Sequence, residues 1–203
     1  MVTSISGTTL FLFFLLGLTI NLTNAAADAD AKCNLWQGKC PPGWKSFVRP
    51  MRVRVCLKIF YQNTTYQEAQ EVCRKQYNSR VHGIATLEEH LWLKMKAKKV
   101  ITDEKGSMWI GARRKAACFA PPSELSRITA CQKKNELFEW DDNLTGESYI
   151  FTQWDQAVGA PNSAMSNGAP EDCVVMNVHE NIGYIDDRDC TIPQEGFLCG
   201  MTA

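Results

Sequence analysis

Six side chains with hard oxygen donors gather late in this chain. Asn162, Glu171 and Asp172 fall in "GAPNSAMSNGAPEDCVVMN", residues 159–177, and Asp186, Asp187 and Asp189 fall in "YIDDRDC", residues 184–190. Carboxylates and amide carbonyls in such number suit calcium, which takes six to eight oxygen ligands. Glu171 and Asp187 could also be imagined as the acid and base of a glycosidase. The same residue types in loops also cap turns and face water with no ion at all. Other reactive groups are sparse. His82, His90 and His179 are the only histidines, and none stands in a nucleophile motif with a Ser, Cys or carboxylate. There is no Gly-rich phosphate loop. An enzyme is therefore not expected.

The elements that must position these donors follow from composition and pattern. The chain has 203 residues, with 22 basic against 22 acidic side chains. A net charge of zero gives no general pull toward nucleic acid or membrane, and neither is an expected partner. Lys45, Arg49, Arg52, Arg54 and Lys58 form one basic stretch, and Lys94, Lys96, Lys98 and Lys99 another; both are read as solvated faces. Residues 1–27 carry no charge and hold the apolar run "LFLFFLLGLTI", residues 10–20, followed by Ala25, Ala26 and Ala27. That is a signal-peptide pattern, too short to span a bilayer. Nine cysteines with no C-x-x-C pair fit an oxidising compartment and argue against a zinc site. The mature protein is expected to be secreted. Asn63-Thr-Thr and Asn143-Leu-Thr are glycosylation sequons, the mark of a glycoprotein.

Residues 28–39 read as a tail, and "CPPGW", residues 40–44, as turn chemistry. "RVRVCLKIFY", residues 52–61, reads as a strand. A helix over 65–78 opens on a capping box of Thr65 and Glu68, and its apolar face holds Tyr66, Ala69, Val72 and Cys73. Thr86 and Glu89 open a second helix the same way, with Leu87, His90, Leu91, Leu93 and Met95 following. "MWIGA", "LFEWDD", "SYIFTQW", "CVVMNV", "GYIDDRDC" and "GFLCG" read as short strands among long loops, an α+β pattern. Trp140, Trp154 and Tyr149 could stack on a sugar face, although aromatics in such a domain more often belong to the core.

The order and spacing of "CPPGW", the two capped helices, "WIGA", "FEWDD", Trp154 followed by "APN", "EDCVVMN" and the closing "GFLCG" resemble the long form of the C-type lectin-like domain. The likeness spans roughly residues 40–200, with 201–203 as a C-terminal tail. It implies an α+β fold of two helices packed on small antiparallel sheets with a long loop region. It also implies disulfides Cys40–Cys56, Cys73–Cys199 and Cys173–Cys190. Cys118–Cys131 is inferred from the loop those two cysteines share. Cys33 is left unpaired, the candidate link of a disulfide-linked dimer.

In that family a Glu-Pro-Asn or Gln-Pro-Asp triplet with a cis peptide, a later acid and a Trp-Asn-Asp triplet hold a calcium ion, and the ion coordinates sugar hydroxyls. Residue by residue, Ala160-Pro161-Asn162 stands at the first triplet, with Pro161 as the cis-proline candidate. Glu171 stands at the acid, and Ile185-Asp186-Asp187 at the last triplet. Ala160 brings no ligand oxygen, and Asp186 replaces an amide. The resemblance therefore implies a weakened calcium site at Asn162, Glu171, Asp186 and Asp187, binding carbohydrate or glycoprotein through the ion. The role implied is extracellular or innate-immune glycan recognition. The rival expectation is a protein-binding module of the same fold that needs no calcium.

Overall fold

A computed structural model of the chain describes residues 38–203, apart from 147, 148 and 167. The expected signal segment 1–27, the tail as far as residue 37 and Cys33 lie outside the described residues. The chain runs through β1 (Lys45–Val48), β2 (Arg54–Thr64), α1 (Tyr66–Tyr77), β3 (Arg80–Val81), α2 (Leu87–Val100) and β4 (Ser107–Arg114). It continues through the one-turn α3 (Pro122–Leu125), β5 (Phe138–Trp140), β6 (Met165–Ser166), β7 (Ala169–Pro170), β8 (Cys173–Asn177), β9 (Ile185–Arg188) and β10 (Gln194–Thr202). One sheet takes the order β1-β2-β10-β4-β8-β9, with β3 on β10 and β5 on β4, and β6–β7 is a separate hairpin. The class is α+β as expected. The larger sheet is not wholly antiparallel, however: β10 runs parallel to β4 within it. The closing strand reaches Thr202, which pairs with Val55, so residues 201 and 202 are not a tail.

The middle strands are apolar on both faces because both faces are covered. Met108, Ile110, Val174, Met176 and Leu198 point into one core together with Leu93, Ala97 and Ile101 from α2 and its end. Trp109, Val175, Phe197 and Cys199 point the other way, against Tyr66, Ala69 and Cys73 of α1. Trp109 is fully buried, donates from Nε1 to Thr64 O at 2.8 Å, and meets the Tyr66 ring edge-on. Gly111 is required here: a Cβ would stand 2.4 Å from the Val81 carbonyl oxygen, where β3 crosses close to β4. Four disulfides join Cys40–Cys56, Cys73–Cys199, Cys118–Cys131 and Cys173–Cys190, all as expected. Each removes unfolded-chain entropy worth roughly 3 kcal/mol on a loop-closure account, somewhat more for Cys73–Cys199, whose partners are 126 residues apart.

Thr65 closes the expected capping box with Glu68. The second box is only half made. Thr86 Oγ1 accepts from Glu89 N, but the Glu89 carboxylate accepts from Ala85 N and is claimed by Arg49. Arg49 is therefore no part of a solvated basic face. It is buried, grips both Glu89 oxygens at 2.7 and 3.0 Å, and donates to Thr145 Oγ1 and Gly83 O. Thr145 in turn bonds Asp142, whose carboxylate also takes Gly83 N and faces His82 at 2.7 Å. Burial would raise the Asp142 carboxyl, but the His82 and Thr145 hydrogen bonds hold it well below the usual carboxylate range. Leu87, Leu91 and Met95 lie on the exposed side of α2, and His90, Leu93 and Ala97 on the buried side.

"SYIFTQW" is not a strand. Tyr149–Thr152 forms a 3-10 turn, and only Trp154 bridges to Ile185. A strand would send Ile150 and Phe151 to opposite faces, whereas the turn buries both. Trp154 is 2% exposed, Trp140 stacks on Phe151, and Tyr149 meets His90, so these aromatics pack the domain.

The Arg49–Glu89 pair gives a test. Arg49→Met leaves a carboxylate buried without its cation and lowers unfolding free energy by about 3–5 kcal/mol, while Arg49→Met with Glu89→Leu recovers most of the loss. Denaturant melts of the oxidised protein check both.

Candidate functional site

The loop between Trp154 and β8 carries two of the four expected ligand residues, Asn162 and Glu171, and brings them to a third, Asp187 on β9. Its base is held by backbone pairing, with Ile185 N donating to Gln153 O and Asp155 N to Ile185 O, both at 2.9 Å. The Ala160–Pro161 peptide is cis. Past it the chain turns sharply, and Asn162 N and Ser163 N donate to the two oxygens of Asp187 at 3.0 and 2.8 Å. The loop returns through β6 and β7, and Glu171 N donates to Ala164 O.

Strand parity decides what each acid on β9 faces. Ile185 and Asp187 point inward, Ile185 into the main core. Asp187 is 0% exposed and meets Arg114 at the end of β4, with the guanidinium Nη2 3.0 Å from Asp187 Oδ2. Arg114 is itself buried; its Nε and Nη2 donate to Glu171 O at 2.8 and 2.7 Å, and its plane lies over the Phe138 ring. Both Asp187 oxygens are thus engaged, and one cation ties β4, β9 and the returning loop together. Asp186 points to the other side of the strand. It pairs with Arg188 at 2.9 Å, and its Oδ1 is buried with no hydrogen-bond partner.

The remaining donors are also committed or altered. Asn162 is exposed, but its Oδ1 accepts from Ala164 N at 2.7 Å, closing its own turn. Asp189 Oδ1 accepts from Thr191 N and Oγ1. Asp172 pairs with Arg113 at 2.8 Å. Glu171 is 9% exposed, and burial, with the charge of Asp187 next in weight, pushes its carboxyl up to about 7. Burial likewise lifts Asp186 to about 6, against the pull of Arg188. Asp172, Cys173 and Cys190 lie close enough to share a metal, but both sulfurs are spent in a disulfide.

Calcium needs six to eight free oxygens around one point. Here Ala160 offers none, Asn162 Oδ1 is turned to Ala164 N, Asp186 faces away from Asp187, and a guanidinium already neutralises Asp187. In this arrangement the residues do not suit the ion. The sequence reading missed Arg114. Its signal was parity: Met108, Ile110, Ala112 and Arg114 alternate onto one face of β4, so Arg114 points inward while Arg113 does not. The three histidines are structural: His82 faces Asp142, His90 meets Gly183 O and Tyr149, and His179 meets Ile101 O.

A family model described as C-type lectin domain-containing protein 141/158 matches residues 49–201. The chain is 28% identical over 192 residues to C-type lectin 1 of Hydrophis hardwickii, covering 93% of this chain and 92% of that protein. Among solved structures, it is similar to the cow CD23 carbohydrate-recognition domain crystallised in the presence of GlcNAc2Man3 oligosaccharide, with TM-score 0.52 and 23% identity, over 81% of this chain and 97% of that one. It is also similar to a calcium-independent type II antifreeze protein, with TM-score 0.53 and 21% identity, over 81% of this chain and 95% of that one.

Raised carboxyl pKa values carry a definite sign. A native state that holds its proton more tightly gains stability that is fully present below the ordinary carboxyl range and is lost as pH rises through the native value. For Glu171 that loss runs from about 4.5 to about 7. Glu171→Gln is therefore expected to raise the melting temperature at pH 8 and to leave it nearly unchanged at pH 4. Thermal melts across that range check this, and an equal shift at both ends would contradict it.

Proposed function

The chain belongs to the C-type lectin domain family, and from that premise we propose that it is a secreted recognition module that binds glycans or glycoproteins at its long-loop face without calcium. Family members are generally binding modules, and the histidines here are engaged structurally, which supports a non-enzymatic role. Secretion is supported by the four disulfides. The sequon residues Asn63 and Asn143 are both exposed, which suits glycosylation. Among the described residues no helix is long and apolar enough to cross a membrane. Cys33 remains the proposed link of a covalent dimer.

One observation carries the calcium-free reading: the Arg114 guanidinium stands against Asp187 and the Glu171 carbonyl, where it holds the loop by charge and hydrogen bonds. The guanidinium and two backbone amides already satisfy the Asp187 carboxylate, so no metal is needed to neutralise it. Calcium-independent use of the fold has a counterpart in the type II antifreeze protein of that description. A second reading, calcium-assisted sugar binding, is favoured by the gathering of Asn162, Glu171 and Asp187. It requires Asp187 to exchange its guanidinium for the ion.

The two readings part on simple measurements. Wild-type protein stripped with EDTA is expected to melt at the same temperature with and without millimolar calcium, and to keep its glycan-array profile in EDTA. A profile abolished by EDTA and restored by calcium establishes the second reading instead. Arg114→Gln strands a buried Asp187 and lowers stability by about 3–5 kcal/mol. Added calcium is not expected to recover that loss, because Ala160, Asn162 and Asp186 still offer the ion no free oxygen beside Asp187.

A further inference from the structure

α2 shows solvent a face that the fold does not use. Leu87, Leu91 and Met95, each four residues from the next, form one stripe along it and are 55%, 49% and 65% exposed. The opposite side does the packing. Leu93 and Ala97 are fully buried in the core, Arg49 holds Glu89, and His90 meets Gly183 O. The helix is thus fixed from within, while three large apolar side chains stand in water. Apolar residues scattered singly on a surface need no explanation, but an ordered stripe marks a docking face.

The same face is basic. Lys94 follows Leu91 by three residues, Lys98 follows it by seven, and Lys99 follows Met95 by four, spacings that set all three beside the stripe. Lys98 and Lys99 are exposed, and half-buried Lys94 runs its aliphatic stem along Gly183. Among the described residues none of the three enters an ion pair. Glu88, in the first turn, is the one exposed acid of the helix, and Asp103 and Glu104 belong to the turn after it. A net charge of zero therefore conceals a local excess of cations.

Shape and charge select the occupant. The stripe is the crest of a convex helix, about 12 Å from Leu87 to Met95 at 1.5 Å per residue, and a crest meets a yielding plane. The lysines call for negative charge in that plane. A second copy of the chain offers the opposite, since it brings its own lysines and one exposed acid per helix. Helices that lie in a lipid headgroup layer carry this pattern: apolar side chains enter the acyl boundary, and ammonium groups stay at the level of the phosphates.

We propose that the outer face of α2 docks the domain reversibly on an anionic phospholipid surface, with Leu87, Leu91 and Met95 entering it and Lys94, Lys98 and Lys99 meeting the headgroup phosphates. This is a second surface, and it does not depend on how the long loop recognises its ligand.

The test is cosedimentation of the full chain, recovered from the medium of secreting cells and kept in EDTA, with vesicles. One set holds phosphatidylglycerol and phosphatidylcholine in equal parts, the other phosphatidylcholine alone. Partition onto the anionic set is expected to be at least tenfold stronger, and to fall as salt rises from about 0.1 M to about 1 M and the screening length shrinks from about 10 Å to about 3 Å. Leu91→Glu with Met95→Glu, and separately Lys98→Glu with Lys99→Glu, are each expected to weaken it at least tenfold. Arg74→Glu with Arg80→Glu, the same change of charge on and after α1, is expected to leave it within about twofold. Glutamate is a good helix former and all four α2 positions are exposed, so melting temperatures should hold. Should a glutamate variant melt early, Lys98→Gln with Lys99→Gln decides. Equal binding to both vesicle sets, no binding to either, or binding that survives the α2 variants, as an uncleaved residue 1–27 segment would give, overturns the proposal. So does a wild type that dimerises under reducing conditions while Leu91→Glu with Met95→Glu stays monomeric, which assigns the stripe to a second copy.

Discussion

A single arginine with nowhere to go organises the recognition end of this domain. Arg114 closes β4 with its guanidinium buried, and three partners meet it there: the Asp187 carboxylate, the Glu171 carbonyl and the face of Phe138. Two of these come from the far side of a long loop. Burying a charge is costly unless it is paired and hydrogen-bonded, so the loop must return to this point in every folded molecule. Asn162 and Ser163 then follow, because their amides complete the coordination of Asp187. The interior of the loop is positioned by the demand of one charge for company, which is also what a bound metal ion would impose.

That arginine is held by a sheet whose central strands are packed on both sides. β4 and β8 are buried on both faces, α1 covering one and α2 with the loop core the other. A second buried ion pair, Arg49 with Glu89, pins the start of α2 to the residues just after β1. It continues through Thr145 to Asp142 and His82. The two networks use the same device: a guanidinium with a carboxylate, placed where helix or strand ends meet loops. Irregular backbone is fastened by charge where repeating hydrogen bonds are unavailable.

Much of this was legible in the residues. The capping box of Thr65 and Glu68 stands as read from the residues, three of the four cysteine pairings as the family resemblance implied them and Cys118–Cys131 as inferred from its loop, while Pro161 was a cis candidate by that resemblance and is cis. What escaped was parity. Asp186 and Asp187 are neighbours in sequence and look like one acidic pair, yet adjacent residues on a strand face opposite ways. The same holds for Arg113 and Arg114: one is surface-exposed beside Asp172, the other internal. Arg49 looked like part of a basic run because composition records charge and not direction. Side-chain direction depends on which strand covers which, and that is a long-range fact no local window contains.

The last strand of the domain is the one in the middle. β10 lies between β2 and β4, pairs also with β3, and carries the cysteine that reaches back to α1. A chain made in order therefore completes β2 and β4 long before the strand that joins them, and each presents an open edge until β10 is added. The sheet cannot close before then, and those edges must be shielded by other means while they wait.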